Sequence, residues 1–116
     1  MKLVIAVVRR EQANDVMDSL ERAGIHGYSI TRAYGRGSGP DQVQTYRGST
    51  IRQRLSGRTR FEIAVSAPLL PRAIEAIREG ARTGEGGDGN IVVLDVEEAL
   101  QIHTDPQADS ALEPVA

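Results

Sequence analysis

The stretch "TRFEIAVSAPLLPRAIEAIREGARTGEGGDGNIVVLDV", residues 59–96, decides the fold. It opens with an alternating segment in which Thr59, Phe61, Ile63 and Val65 share one face, the period of a half-buried strand. Ser66 then stands where a helix N-cap is expected, with Pro68 and Pro71 near the first turn. Leu70, Ala73, Ile74 and Ile77 recur at helical spacing, which predicts a helix. A glycine-rich turn over 83–90 leads into "IVVLDV" (91–96), a continuous apolar run that reads as another strand. The unit is strand, helix, strand.

The same order occupies the first third of the chain. "LVIAVV" (3–8) reads as a strand covered on at least one face. In "EQANDVMDSLERAGI" (11–25), Ala13, Val16, Met17, Leu20 and Ala23 form an apolar stripe, and Gly24 supplies a stop. "YSITRAY" (28–34) alternates as a second strand. Two such halves imply a ferredoxin-like α+β fold, a four-stranded antiparallel sheet covered by two helices, occupying residues 1–104. Apolar residues on both faces of the first and last strands predict an oligomer in which another subunit covers the sheet. Between the halves, residues 35–57 carry five glycines, a proline and no period, which predicts a long mobile loop. Loops of that length inside a small domain usually have a function. After the last strand, Glu97–Leu100 reads as a turn, "QIHT" (101–104) as an extra strand, and 105–116 as a frayed tail.

Composition narrows the function. The chain has 116 residues and no cysteine, so disulfides, thiolate metal sites and cysteine nucleophiles are excluded. With only His26 and His103, no histidine-rich metal centre is expected, and His26 reads as a solvent-facing turn residue. No GxSxG or HExxH pattern occurs, and no histidine pairs with a carboxylate at useful spacing, so an enzyme is not expected. No apolar run approaches spanning length, and the N-terminus lacks the shape of a signal peptide, so a cytoplasmic protein without membrane insertion is expected. Lys2 is the sole lysine beside thirteen arginines. Arg32, Arg36, Arg47, Arg52, Arg54, Arg58 and Arg60 cluster where Asp41 is the only acid. Arginine's planar fork suits phosphates and carboxylates, and a solvated loop is the plainer explanation of the cluster.

The glycine turn raises its own question. Short turns of this kind let backbone N–H groups close on a phosphate, yet Asn90 stands at the exit and no lysine or arginine follows it. On the residues alone, a cradle of reduced charge and a tight turn without ligand are both open.

Several words in order give the chain a resemblance. "AGIHGYSIT" follows the first helix, "YRGS" lies in the long loop, "FEIAV" forms the third strand, and "ARTGEGGDGNIVVLDVEEALQI" closes the domain. Over residues 2–104 the chain resembles the PII signal-transduction family. The resemblance implies a trimer that binds adenine nucleotides in clefts between subunits, without a covalent cofactor or metal. It implies a loop, 36–57, that engages a protein target in carbon or nitrogen metabolism: an enzyme, a transporter or a carboxysome component. Nucleotide contacts carried over are Ser29, Gly35, Arg36, the backbone of Glu62, Ile63 and Ala64, the turn residues Gly87, Asp88, Gly89 and Asn90, and Gln101 and His103 of a neighbouring subunit.

The departures are informative. The family usually has lysine at the position of Asn90 and arginines at those of Gln101 and His103. Losing three charges weakens binding of a triphosphate more than of a monophosphate, so AMP or ADP is expected to bind in preference to ATP. The family's uridylylated tyrosine corresponds to Ile51, whereas Ser49 matches a serine that some members phosphorylate. "GRGSGP" (35–40) lacks the glutamine used for 2-oxoglutarate, while Arg58 keeps a cation at the loop's base. Arg58 and Arg60 beside the cleft, with Arg36 and Arg47 on the loop, suit a small anion. The chain is similar to a carboxysome- or bicarbonate-associated branch of the family, which implies bicarbonate as a co-effector. Two other classes stay open: a trimeric ferredoxin-like interaction protein without nucleotide, and a nucleic-acid binder using the arginine loop. Four aromatic residues and a net charge of −2 weigh against the second.

Overall fold

The computed structural model describes residues 1–37 and 42–103. Six strands and two α-helices follow in the order β1 (Lys2–Arg9), α1 (Ala13–Arg22), β2 (Ser29–Gly35), β3 (Gln42–Tyr46), β4 (Ser49–Gln53), β5 (Ser56–Val65), α2 (Leu70–Ala81) and β6 (Gly89–Asp95). Short 3-10 turns, Arg10–Gln12 and Ala67–Leu69, lead into the helices. The main sheet has the order β2-β5-β1-β6 with every pair antiparallel, as the ferredoxin-like reading expects.

Alternation along the strands builds the core. Val4, Ala6 and Val8 of β1 and Phe61, Ile63 and Val65 of β5 face the helices and are essentially inaccessible. Val16 and Leu20 of α1 and Ala73, Ala76 and Ile77 of α2 meet them. Burying the valine, leucine, isoleucine and phenylalanine side chains among them contributes about 1.5–3 kcal/mol each, and the alanines less, so this apolar layer is what holds helices to sheet. The helices pack closely because Gly80 lies against Val16: a Cβ at Gly80 would fall 2.6 Å from Val16 Cα. Gln12 Nε2 also donates to Gly80 O (3.1 Å), tying the entry of α1 to α2.

Among the described residues, no helix lies on the opposite face of the sheet. By register, Leu3, Ile5 and Val7 of β1 share this outer face with Val92 and Leu94 of β6. Val92 and Leu94 are 46% and 47% exposed, an apolar surface on an otherwise packed domain.

Three details differ from the sequence reading. Within the segment read as loop, β3 and β4 pair as a separate two-stranded ribbon, Gln42↔Gln53 through Tyr46↔Ser49, joined by Arg47–Gly48. Both turn residues have positive φ, 51° and 78°, the geometry of a two-residue hairpin turn that matches strand twist. The ribbon escaped prediction because "QVQTY" and "STIRQ" carry no run of alternating apolar residues in the sequence. Ser66 is extended but makes no side-chain cap; Pro71 occupies the start of α2 as expected. Gln101–His103 form no strand. Thr104 of the "QIHT" expectation and the 105–116 tail lie outside the described residues. No helix among the described residues is long and apolar enough to cross a membrane.

Candidate functional site

The glycine turn is built around one carboxylate. Asp88 accepts from the Thr83 amide (2.9 Å), the Gly84 amide (3.1 Å) and the Thr83 hydroxyl. Thr83 Oγ1 in turn accepts from the Glu85 amide (3.3 Å). These bonds close residues 83–88 into a ring, which answers why an aspartate follows the glycines. The Thr83 hydroxyl and amide, then Arg9 and the Gly84 amide, hold the Asp88 carboxyl well below the usual carboxylate range against a smaller opposing effect of desolvation.

Two arginines grip this ring from the sheet. Arg9 Nε donates to Asp88 Oδ1 (3.2 Å) and its Nη2 to Gly86 O (2.7 Å). Arg58 Nη1 donates to Gly87 O. Arg9 and Arg58 are direct partners across β1 and β5, so two cations side by side on the sheet serve one turn. Arg58 is only 9% exposed and its stem lies against Gly35, where a Cβ would stand 3.3 Å from Arg58 Cγ. Arg58 therefore touches both the exit of β2 toward the ribbon and the glycine turn. Gly35 O also accepts from Ser56 Oγ (3.2 Å), closing the base of the segment that carries the ribbon.

The turn enters β6 under tight constraint. Gly89 has φ 110° and a Cβ there would fall 1.9 Å from Val7 O, so no side chain fits. Gly89 and Asn90 pair with Val8 and Val7, and alternate N–H groups of such a ladder point away from it. Gly87, Gly89 and Asn90 are exposed.

The sequence-predicted residues divide by place. Gly35, Arg58 and Gly87–Asn90 gather at the turn. Ser29 is the exposed first residue of β2 and pairs with Glu62. Glu62 accepts from Arg60 Nε (2.9 Å), an ion pair on the outer face of the sheet. Ile63 is fully buried in the core, and Ala64 shares the outer face with Glu62. Gln101 and His103 leave from the far end of β6, a strand length of roughly 20 Å from the turn. Arg36 follows β2, while Arg47 and the exposed Ser49 sit at the ribbon's turn. His26 is exposed, as read. Sequence reasoning missed Arg9; its signal is the "VVRR" end of β1, the strand between β5 and β6.

With this geometry, the family model described as "Nitrogen regulatory protein P-II" matches residues 1–106. The chain belongs to the P-II family. Nitrogen regulatory protein P-II 1 of Methanothermobacter thermautotrophicus is 39% identical over 112 residues, covering 97% of each chain. Nitrogen regulatory protein P-II of Rhizobium etli is 34% identical over 112 residues, covering 97% of this chain and 100% of that one. As a P-II protein the chain is a regulatory signal transducer and not an enzyme. Its Asp88-centred ring is thus the turn of a regulator.

Proposed function

We propose that this P-II protein binds an adenine nucleotide on the outer face of the Thr83–Asn90 turn, at a seam between three copies of the chain. AMP and ADP bind in preference to ATP, and occupancy controls whether the 36–57 segment engages a protein target in carbon or nitrogen metabolism. The observation that carries the preference is how the nearby cations are used. Arg9 and Arg58 donate to Asp88, Gly86 O and Gly87 O, so they shape the turn, and the side chain at its exit is the neutral Asn90. Phosphate is then met chiefly by main-chain N–H dipoles, which suit a small charge better than a triphosphate.

Ser29 and the backbone of Glu62–Ala64 would meet the base, and Gln101 and His103 would come from a neighbouring copy. The exposed apolar face of β1 and β6 supports the trimer, since Leu3, Ile5, Val92 and Leu94 would be covered there. Bicarbonate is the proposed co-effector at Arg58. An anion there would share the guanidinium with Gly87 O and so bear on the nucleotide turn, a coupling that must be reciprocal. Phosphorylation of Ser49 would place charge at the tip of the ribbon.

Calorimetric titration with AMP, ADP and ATP, each with and without bicarbonate, tests this reading. AMP or ADP should bind at least as tightly as ATP, and bicarbonate should change adenylate affinity. ATP binding about tenfold tighter than both would defeat the preference, and an unchanged affinity would remove bicarbonate.

A further inference from the structure

We infer that Arg10 is a latch at the root of the β3–β4 ribbon, a positioning residue that sets the direction in which the ribbon leaves the main sheet. The ribbon is attached where β2 ends and β5 begins, and Tyr34 pairs there with Gly57. Gly57 shares its face of β5 with the buried Thr59 and Phe61, so the pair lies on the helix side. Arg10, just after β1, lays its guanidinium across this pair. Its Cζ stands 5.3 Å from the centre of the Tyr34 ring, and its Nη2 donates to Ala33 O at 3.4 Å. On the other strand, a Cβ at Gly57 would fall 2.7 Å from Arg10 Cζ and 2.8 Å from Nη1, so the guanidinium occupies the place of a side chain. One residue thereby holds both strands that carry the ribbon.

The latch is built to release. Arg10 Nε is buried yet has no hydrogen-bond partner among the described residues, a donor that water would satisfy once the guanidinium swings out. The bond to Ala33 O is long, and the Tyr34 ring is 71% exposed, a setting in which cation–π attraction is weak. Packing on Gly57 favours the closed position and the unpaired donor favours the open one, so the two compete closely. Arg58 is the contrast: it covers Gly35 at the other root strand but is held in place by its bond to Gly87 O. Release of Arg10 would leave the ribbon tied to the sheet without a brace on its helix side. The latch takes its purpose from the reading that the 36–57 segment engages a target, but its existence does not depend on that reading.

Heteronuclear NMR on the full-length protein tests this, because it sees arginine Nε–H groups as well as amides. Arg10 Nε–H should exchange with water about tenfold or more slowly than that of the exposed Arg72, since opening must precede exchange. Arg10→Ala removes the guanidinium. Gly57→Ala keeps the charge and pushes the guanidinium aside with a methyl group, and the backbone there has no positive φ to forbid alanine. In both variants the order parameters at Thr45, Gly48 and Thr50 should fall from the rigid toward the flexible range, with exchange protection at Val4 and Ile63 unchanged. The double variant should lose no more than either single one, because both remove the same contact. Arg10→Lys should fall between, since an ammonium keeps the charge but not the plane. Unchanged ribbon order in both single variants, additive losses in the double one, or an Arg10 Nε–H that exchanges as fast as that of Arg72 would overturn the inference. None of these readouts needs a nucleotide or a target, so failure of AMP to bind would count against the nucleotide reading alone.

Discussion

Arg9 of the first strand donates to Asp88 at 3.2 Å and to Gly86 O at 2.7 Å, so one guanidinium spans the glycine turn. Asp88→Asn removes the charge that Thr83, Gly84 and Arg9 all address. Amide exchange at Thr83 and Gly84 should quicken, and adenylate affinity should fall by about tenfold or more, as expected for a lost charge-assisted bond. Arg9→Lys should show a smaller loss of the same kind, since an ammonium lacks the fork that reaches both acceptors. Hydrogen exchange and calorimetry on both variants check this.

The same carboxylate sets a pH dependence. Its folded pKa lies below the unfolded value of about 3.9, so its contribution to stability is fully present above that value and is lost as pH falls through the folded one. Amide chemical shifts of Thr83 and Gly84 should therefore stay flat from neutral pH down through the mildly acidic range. Movement of both between pH about 5 and 7 would mean that the ring is held by something else.

Gly80→Ala sets two effects against each other. Helix propensity favours alanine by up to about 1 kcal/mol. The new Cβ, however, would stand 2.6 Å from the Val16 backbone, which cannot swing aside as a side chain does. Overpacking costs about 1–3 kcal/mol, so net destabilisation is expected, read as a lower urea midpoint with little change in slope.

Arg47 carries positive φ without being glycine. Arg47→Asn should tighten the ribbon, because asparagine tolerates the left-handed region, and Arg47→Val should loosen it. Exchange protection of the amides in Gln42–Tyr46 and Ser49–Gln53 ranks the three proteins.

The sheet, both helices and the glycine turn were legible because each leaves a local mark. Val4, Ala6 and Val8 alternate against Phe61, Ile63 and Val65, and the α2 stripe repeats at helical spacing. The ribbon was hidden because its only strong mark is Arg47–Gly48, and arginine is not a residue one expects in such a turn. The meeting of Gly87, Asp88 and Arg58 at the turn was legible in part, because composition or position in the turn makes them stand out. Arg9 was not, since its role appears only once β1 pairs with β5 and places it beside Arg58. The ring of bonds from Thr83 to Asp88 was likewise invisible, because a side chain folding back five residues has no period.

The measurement that bears most directly on the account is the ratio of ATP to AMP affinity in the native protein and in Asn90→Lys. A neutral side chain at the turn's exit should give a ratio near or below one, and restoring a cation there should raise it by about tenfold or more while AMP changes little. A native protein that already favours ATP strongly, or a variant whose ratio does not move, would contradict the claim that this turn holds its ligand with main-chain dipoles.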